Sequence, residues 1–224
     1  MIGFRILERR RTVSAALAQA YLQLPVANVS DCMSRMSAGG ARLRPMHAGG
    51  RMAGPALTVR TRPGDNLMIH KALQLARPGD IIVVDGGGDL TNALIGEIMA
   101  GDALHSGVAG IVINGAIRDA DEIRTMGLPV YAAGVTHRGP YKDGPGEINT
   151  PIAIDGMVIE PGDLMIGDGD GVLCVPLEHV ESVLAAARQK QSAEAKTIAD
   201  IAAGTYDRSW VDEALSRLNC EMVR

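Results

Sequence analysis

The sequence predicts an α/β fold: a central parallel sheet, then an antiparallel β portion, then a long helix. Three observations carry this. Between residues 51 and 134, apolar runs of strand length alternate with stretches of helical periodicity, the pattern of parallel strands joined by crossover helices. From 151 to 176 the runs shorten and are split by Asp-Gly and Pro-Gly turns, as in tight-turned antiparallel β structure. Beyond 177, Val180, Val183, Leu184 and Ala187 recur at helical spacing.

The elements follow in order. Residues 12 to 24 place Leu17, Tyr21 and Leu24 on one helical face, and a second short helix is expected near Asn28 or Ser30, either of which caps orphan amides. After a Gly39-Gly40 turn, residues 51 to 61 read as a strand. Asp65 caps a helix carrying Met68, Ala72 and Leu75, which Pro78-Gly79 ends before the strand Ile81 to Val84. That strand runs into Asp85-Gly86-Gly87-Gly88. A loop over DLTNALIG, a helix from Glu97 to Ser106, a strand over 109 to 114 and a loop over Gly115-Ala116-Ile117 come next. Arg118-Asp119 then open a helix that Gly127 stops, and a strand runs from Pro129 to Ala133. This succession predicts a parallel sheet with right-handed crossovers. Residues 135 to 150, rich in Gly and Pro, read as a functional loop or rim. The whole is read as a single domain over 1–224. It comprises N-terminal helices at 12–36, an α/β core at 51–134, a loop and β portion at 135–176, and C-terminal helices at 177–224.

Composition narrows the function classes. A chain of 224 residues, 46% hydrophobic and 21% charged, has ample material for a buried core. A net charge of -4 argues against a nucleic-acid partner held through phosphates, and Arg9-Arg10-Arg11 reads as a solvated face. Cys32, Cys174 and Cys220 show no CxxC spacing, so neither a disulfide framework nor a zinc site is expected. No stretch reaches the roughly 18 apolar residues of a membrane span, and a cytoplasmic, reduced chain with no membrane partner is the expectation.

Most short motifs resolve into ordinary structure. Thr91 stands where a dinucleotide fingerprint after Gly86 requires glycine, so Gly86-Gly87-Gly88 reads as a loop for close backbone approach. Asp168-Gly169-Asp170-Gly171 lacks the further ligands of a calcium loop and reads as a β-turn. His47, His70, His105, His137 and His179 have no paired spacing for zinc. Only His137, in a loop with Arg138, Tyr141 and Lys142, invites attention. Ser30 and Ser106 lack a nucleophile elbow.

Two segments stand apart because they fall where strands hand over to helices, which is where α/β proteins collect ligands. Arg118-Asp119 puts a fixed cation and a fixed carboxylate at a strand's carboxyl end. Gly96-Glu97-Ile98-Met99 starts a helix, whose free amides and positive dipole end suit a small carboxylate. Each alone reads as ordinary structure. On adjoining loops they supply anion-binding amides, a bidentate cation and hard oxygen ligands, a set suited to Mg²⁺ or Mn²⁺ and a 2-oxo acid.

The stretch ARPGDIIVVDGGGDLTNALIGEIMAGDALHSGVAGIVINGAIRDADEI, with PGDLMIGDGDGVLCVP after it, resembles a known family. That family joins the regulator of ribonuclease activity A to the class II 4-hydroxy-4-methyl-2-oxoglutarate/4-carboxy-4-hydroxy-2-oxoadipate aldolases. The resemblance runs from VSDCM to the C-terminal helix. It implies a layered α/β sandwich assembled as a homotrimer or hexamer, with the site in a cleft between subunits and no Schiff-base lysine. By position, it implies that Asp119 is the metal ligand, Arg118 binds substrate, and Gly96, Glu97, Ile98 and Met99 form the loop whose amides hold the pyruvyl carboxylate. The aldolases usually carry Asp where this chain has Glu97, which would act on the metal through a water. Glu194 is the candidate for an acidic residue donated by a neighbouring subunit. The activity implied is cleavage of a 4-hydroxy-2-oxo acid to pyruvate, with oxaloacetate decarboxylation through the same enolate. The rival is a ring-shaped regulator that binds a ribonuclease and keeps a vestigial cleft. A quinone methyltransferase role, also attached to this family, finds no cofactor fingerprint.

Overall fold

The computed structural model describes residues 2–37, 39 and 41–221, so half of the expected Gly39-Gly40 turn lies outside the described residues. By internal contacts the chain divides into two compact units, Met1–Ala187 and Arg188–Arg224.

In the first unit the chain begins with β1 (Phe4–Ile6), then α1 (Ala15–Tyr21), α2 (Val26–Cys32), β2 (Arg44–Pro45) and β3 (Met52–Thr61). Next come α3 (Leu67–Leu75), β4 (Ile81–Asp85), β5 (Ala93–Ile95), α4 (Glu97–His105), β6 (Gly110–Ile117), α5 (Ala120–Thr125) and β7 (Val130–Val135). Five strands follow: β8 (Gly146–Ile148), β9 (Ile152–Ile154), β10 (Met157–Ile159), β11 (Leu164–Asp168) and β12 (Gly171–Val175). A single 3₁₀ turn then leads into α6 (Val180–Ala203), the helix that crosses into the second unit.

The main sheet is mixed, in the order β1-β8-β3-β4-β6-β7-β2, with β5 beside β6 and the β11–β12 hairpin beside β3. Its centre, β3-β4-β6-β7, is parallel, as the alternation of runs predicts. Antiparallel β8 and β2 flank that centre.

Period-two alternation sends each strand's side chains to opposite faces. Leu57, Val59, Ile82, Val84, Ile111 and Ile113 pack under α3, α4 and α5. Ala56, Ile81, Val83 and Val112 pack on the opposite side against Ile152, Ile154, Met157 and Ile159 of the β9–β10 hairpin. Both faces are dry, which is why β4 reads as an unbroken apolar run. A third cluster joins α1, α2, β11, β12 and the first two turns of α6 through Tyr21, Val29, Leu173, Val180 and Leu184. Each fully buried Val, Leu, Ile or Met among them is worth roughly 1.5–3 kcal/mol of transfer free energy.

Four local expectations need correction. Gly115-Ala116-Ile117 is strand, not loop: the small residues let β5 pair beside β6 as Ala93↔Ala116 and Ile95↔Ile117, which also turns part of the DLTNALIG loop into strand. Residues 146–148 of the expected rim are buried strand, because Glu147 accepts hydrogen bonds from Gly3 N (3.0 Å) and Arg5 Nε (2.7 Å). Those contacts make β1 as well, an element that local pattern did not announce. The second helix starts at Val26, ahead of Asn28, since its first amide is capped from across the chain by Asp168 Oδ2 at 2.9 Å.

In the second unit, α6 continues to Ala203 and α7 spans Ser209–Arg217. Lys190 Nζ and Glu194 Oε1 pair at 3.1 Å one turn apart. Among the described residues no helix is long and apolar enough to cross a membrane.

Candidate active site

Strand β6 delivers Arg118 and Asp119 directly from its carboxyl end. The backbone turns sharply there: Asp119 adopts φ 53° and ψ 45°, the left-handed region that an Asp tolerates better than most residues. A non-glycine residue held in this conformation is a feature often found at functional sites. The turn brings Asp119 Oδ2 to within 3.0 Å of the Glu97 amide, so this carboxylate caps α4 from outside the helix. Arg118 N donates to Ile95 O at 3.0 Å, and Arg118 Nε lies 3.5 Å from Asp119 Oδ2. The two strand-to-helix junctions, distant in sequence, are thus one assembly.

Gly96 makes that contact possible. It is the residue before α4 and lies in extended backbone, so its absence of a Cβ matters for space and not for conformation. A Cβ there would overlap Asp119 Oδ2 and come within 3.0 Å of Arg118 Cγ. In the first turn of α4 the Glu97 amide is already engaged. The Ile98 and Met99 amides remain as orphan donors at the helix's positive end.

A cavity of about 330 Å³ opens at this junction. Gly96, Ile98, Met99, Arg118 and Asp119 line it, together with Asn66 and His70 of the α3 region and Gly139, Pro140 and Lys142 of the loop after β7. Of the residues the sequence singles out for the site, Glu97, Glu194 and His137 do not line it. The Glu97 side chain is exposed and does not line the cavity, although its amide anchors Asp119. Glu194 belongs to the second unit, where it pairs with Lys190. His137 is exposed and also outside the lining.

Sequence reasoning passed over Asn66 and His70 and went no further with Lys142 than its place in an unusual loop. Asn66 is buried, and its Nδ2 donates to Leu94 O at 3.0 Å and lies 3.3 Å from Met99 Sδ, tying α3 to α4 beneath the cavity. His70 sits one turn further along α3. Desolvation, followed by the nearby positive charge of Lys142, holds its imidazole below the ordinary value of 6.5, which favours the neutral ring. Asn66 is the residue before α3 and His70 lies four positions on, a spacing that shows one shared face but gives no sign in the sequence of the cavity it meets.

The donor set also bears on a divalent ion. No cluster of three or more His, Cys, Asp or Glu that could hold a metal ion occurs among the described residues, which therefore offer no ready-made cation cage. Mg²⁺ does not need one: it commonly takes one or two carboxylates and completes its shell with water and substrate oxygens. Asp119, with Oδ1 free of hydrogen bonds among the described residues, fits that mode.

Residues 26–174 match the model of an RraA-like family, Aldolase/RraA. The chain belongs to this family. A relative from Halalkalibacterium halodurans, provisionally named 4-hydroxy-4-methyl-2-oxoglutarate aldolase, is 39% identical over 169 residues, covering 75% of this chain and 80% of that protein. The 4-hydroxy-4-methyl-2-oxoglutarate aldolase of Thermus thermophilus is 36% identical over 126 residues, 56% of this chain and 76% of that one. Among solved structures, the RNA-processing inhibitor RraA from the same organism superimposes with a TM-score of 0.63 at 32% identity, covering 68% of this chain and 92% of that one. The Aldolase/RraA fold, a mixed sheet with a separate antiparallel hairpin, is the fold described above.

Proposed function

We propose that the chain is a divalent-metal-dependent class II aldolase that cleaves a 4-hydroxy-2-oxo acid to pyruvate, with oxaloacetate decarboxylation as a side activity. The observation that carries the reading is the convergence of Arg118, Asp119 and the N-terminus of α4 on one small cavity. The relatives named as aldolases support the lyase class.

In this reading the substrate's 1-carboxylate accepts hydrogen bonds from the Ile98 and Met99 amides, where the α4 dipole favours negative charge. Arg118 donates to the 2-keto oxygen and stabilises the charge that develops there as the C3–C4 bond breaks. Asp119 would hold Mg²⁺ or Mn²⁺, which when bound supplies Lewis-acid polarisation of the same oxygens. Lys142 offers a cation for the distal carboxylate of a dicarboxylic substrate, and neutral His70 adds a hydrogen-bonding group to the same wall. The exposed Ile98 and Glu97 at the cavity's edge support a neighbouring subunit closing the site, in a trimer or hexamer to which Glu194 contributes.

The test is pyruvate release from 4-hydroxy-4-methyl-2-oxoglutarate and from oxaloacetate, before and after chelation and with Mg²⁺ restored. Turnover that disappears with chelator and returns with the ion is expected. Turnover indifferent to chelator overturns the role given to Asp119. The likeness to an RNA-processing inhibitor favours a second reading, a binding protein with an idle cleft, and the absence of turnover on both compounds would select it.

A further inference from the structure

Beyond the groups that meet the substrate, the geometry points to Asp65 as a positioning residue that sets Lys142 and the start of α3 against each other across the cavity. Its carboxylate is fully buried, yet it makes no contact with the cavity itself. Oδ1 accepts from Leu67 N at 3.0 Å. Oδ2 accepts from Asp143 N at 2.7 Å, Gly144 N at 2.9 Å and Arg62 Nη2 at 3.0 Å. Backbone bonds on either side repeat the link: Tyr141 N donates to Gly64 O at 2.8 Å, and Asn66 N donates to Tyr141 O at 3.0 Å. Lys142 is therefore bracketed. The residue before it is bonded to Gly64 and Asn66, and the two after it are bonded to Asp65.

A buried carboxylate is costly unless its oxygens are fully hydrogen-bonded, and a short helix needs far less than this to be capped. Two of the four donors come from a loop about 80 residues away, so the carboxylate holds that loop as well as the helix end. The segment it holds, 141–144, has a single cavity-lining residue, Lys142, while Asn66 and His70 follow Asp65 on the other side. Asp65 thereby fixes the spacing between Lys142 and the rest of the cavity. Under the proposed function this spacing selects oxo acids that carry a second carboxylate, and the inference rests on that reading.

The experiment compares two ligands of equal chain length, 2-oxoglutarate and 2-oxopentanoate, which differ only in the terminal carboxylate. Binding to the full-length protein is measured by calorimetry with Mg²⁺ present. Wild type is expected to prefer the diacid, and Asp65→Asn to lose about tenfold of that preference with monoacid affinity preserved. In a Lys142→Ala background, Asp65→Asn should cause no further loss of preference. Equal weakening of both acids, or an unchanged preference, assigns Asp65 to folding alone and overturns the proposal. A wild type with no preference for the diacid overturns it too. Should Asp65→Asn fail to fold, Asp143→Pro removes one loop donor at an exposed residue and is expected to lower the preference in the same direction; an unchanged preference there counts against Asp65. A wild type that binds neither acid defeats the reading of the cavity, and the role of Asp65 falls with it. Binding of both without turnover defeats only the aldolase chemistry.

Discussion

Gly96→Ala adds one methyl group, removes no polar atom, and should nevertheless disable the site. The backbone at Gly96 (φ -143°, ψ -166°) accepts any residue, so conformational strain contributes nothing. What remains is space. The new Cβ would overlap Asp119 Oδ2 and reach 3.0 Å from Arg118 Cγ and 3.1 Å from Arg118 Nε. To restore ordinary carbon–oxygen separation, the carboxylate must retreat by about 1 Å, taking with it the bond to the Glu97 amide. Both side chains are about two-fifths exposed and can swing toward solvent, so the overlap relaxes without repacking the core. The stability cost should stay near that of a lost helix cap, about 1 kcal/mol. Catalysis is less forgiving, because a misplacement of about 1 Å costs on the order of 100-fold, or about 2.7 kcal/mol in the barrier. The assay is pyruvate release with Mg²⁺, paired with a urea denaturation curve. A variant with kcat/KM within threefold of wild type would refute the claim that Asp119 and Arg118 act from the positions described.

Arg118→Lys keeps the charge but loses the planar fork, and kcat should fall on the order of 100-fold or more, as for the loss of an oxyanion-stabilising donor; near-wild-type turnover removes Arg118 from the chemistry. Ile113→Ala opens a cavity at a fully buried position of β6 and should cost roughly 2–5 kcal/mol by urea denaturation, with a smaller loss meaning that the sheet collapses around the gap. His70 has a folded pKa below its unfolded one, so between the two values the unfolded chain binds more protons. Its contribution to stability is present above about pH 6.5 and is lost as pH falls through the folded value. His70→Gln should therefore flatten the decline in urea midpoint between pH 7 and pH 5, and parallel declines in the two proteins would contradict the shift.

Local pattern sufficed for the central strands, the helices between them, the β9–β12 hairpins and the buried face of α6, because each is specified by side-chain periodicity within a dozen residues. It failed where pairing with a remote segment decides the outcome. Nothing in GEI at 146–148 marks it as a buried strand until Gly3 and Arg5 approach Glu147, and Gly115-Ala116-Ile117 is extended only because β5 lies beside it. The site divides along the same line. Arg118-Asp119 and Gly96 to Met99 are legible because strand ends and helix starts leave local signatures, whereas Asn66, His70 and Lys142 join them only in space.

From the sequence alone came the α/β class, the parallel order at the sheet's centre and the two junctions that carry charge and free amides. Tertiary structure alone decided that those junctions are joined by hydrogen bonds, Asp119 to the Glu97 amide and Arg118 N to Ile95 O, and that the Glu97 side chain lies outside the cavity its amide helps to build. The reason is the range of the forces involved. Periodicity and capping act over a few residues and are written in order along the chain, while a buried carboxylate such as Asp65 finds its donors wherever the fold delivers them.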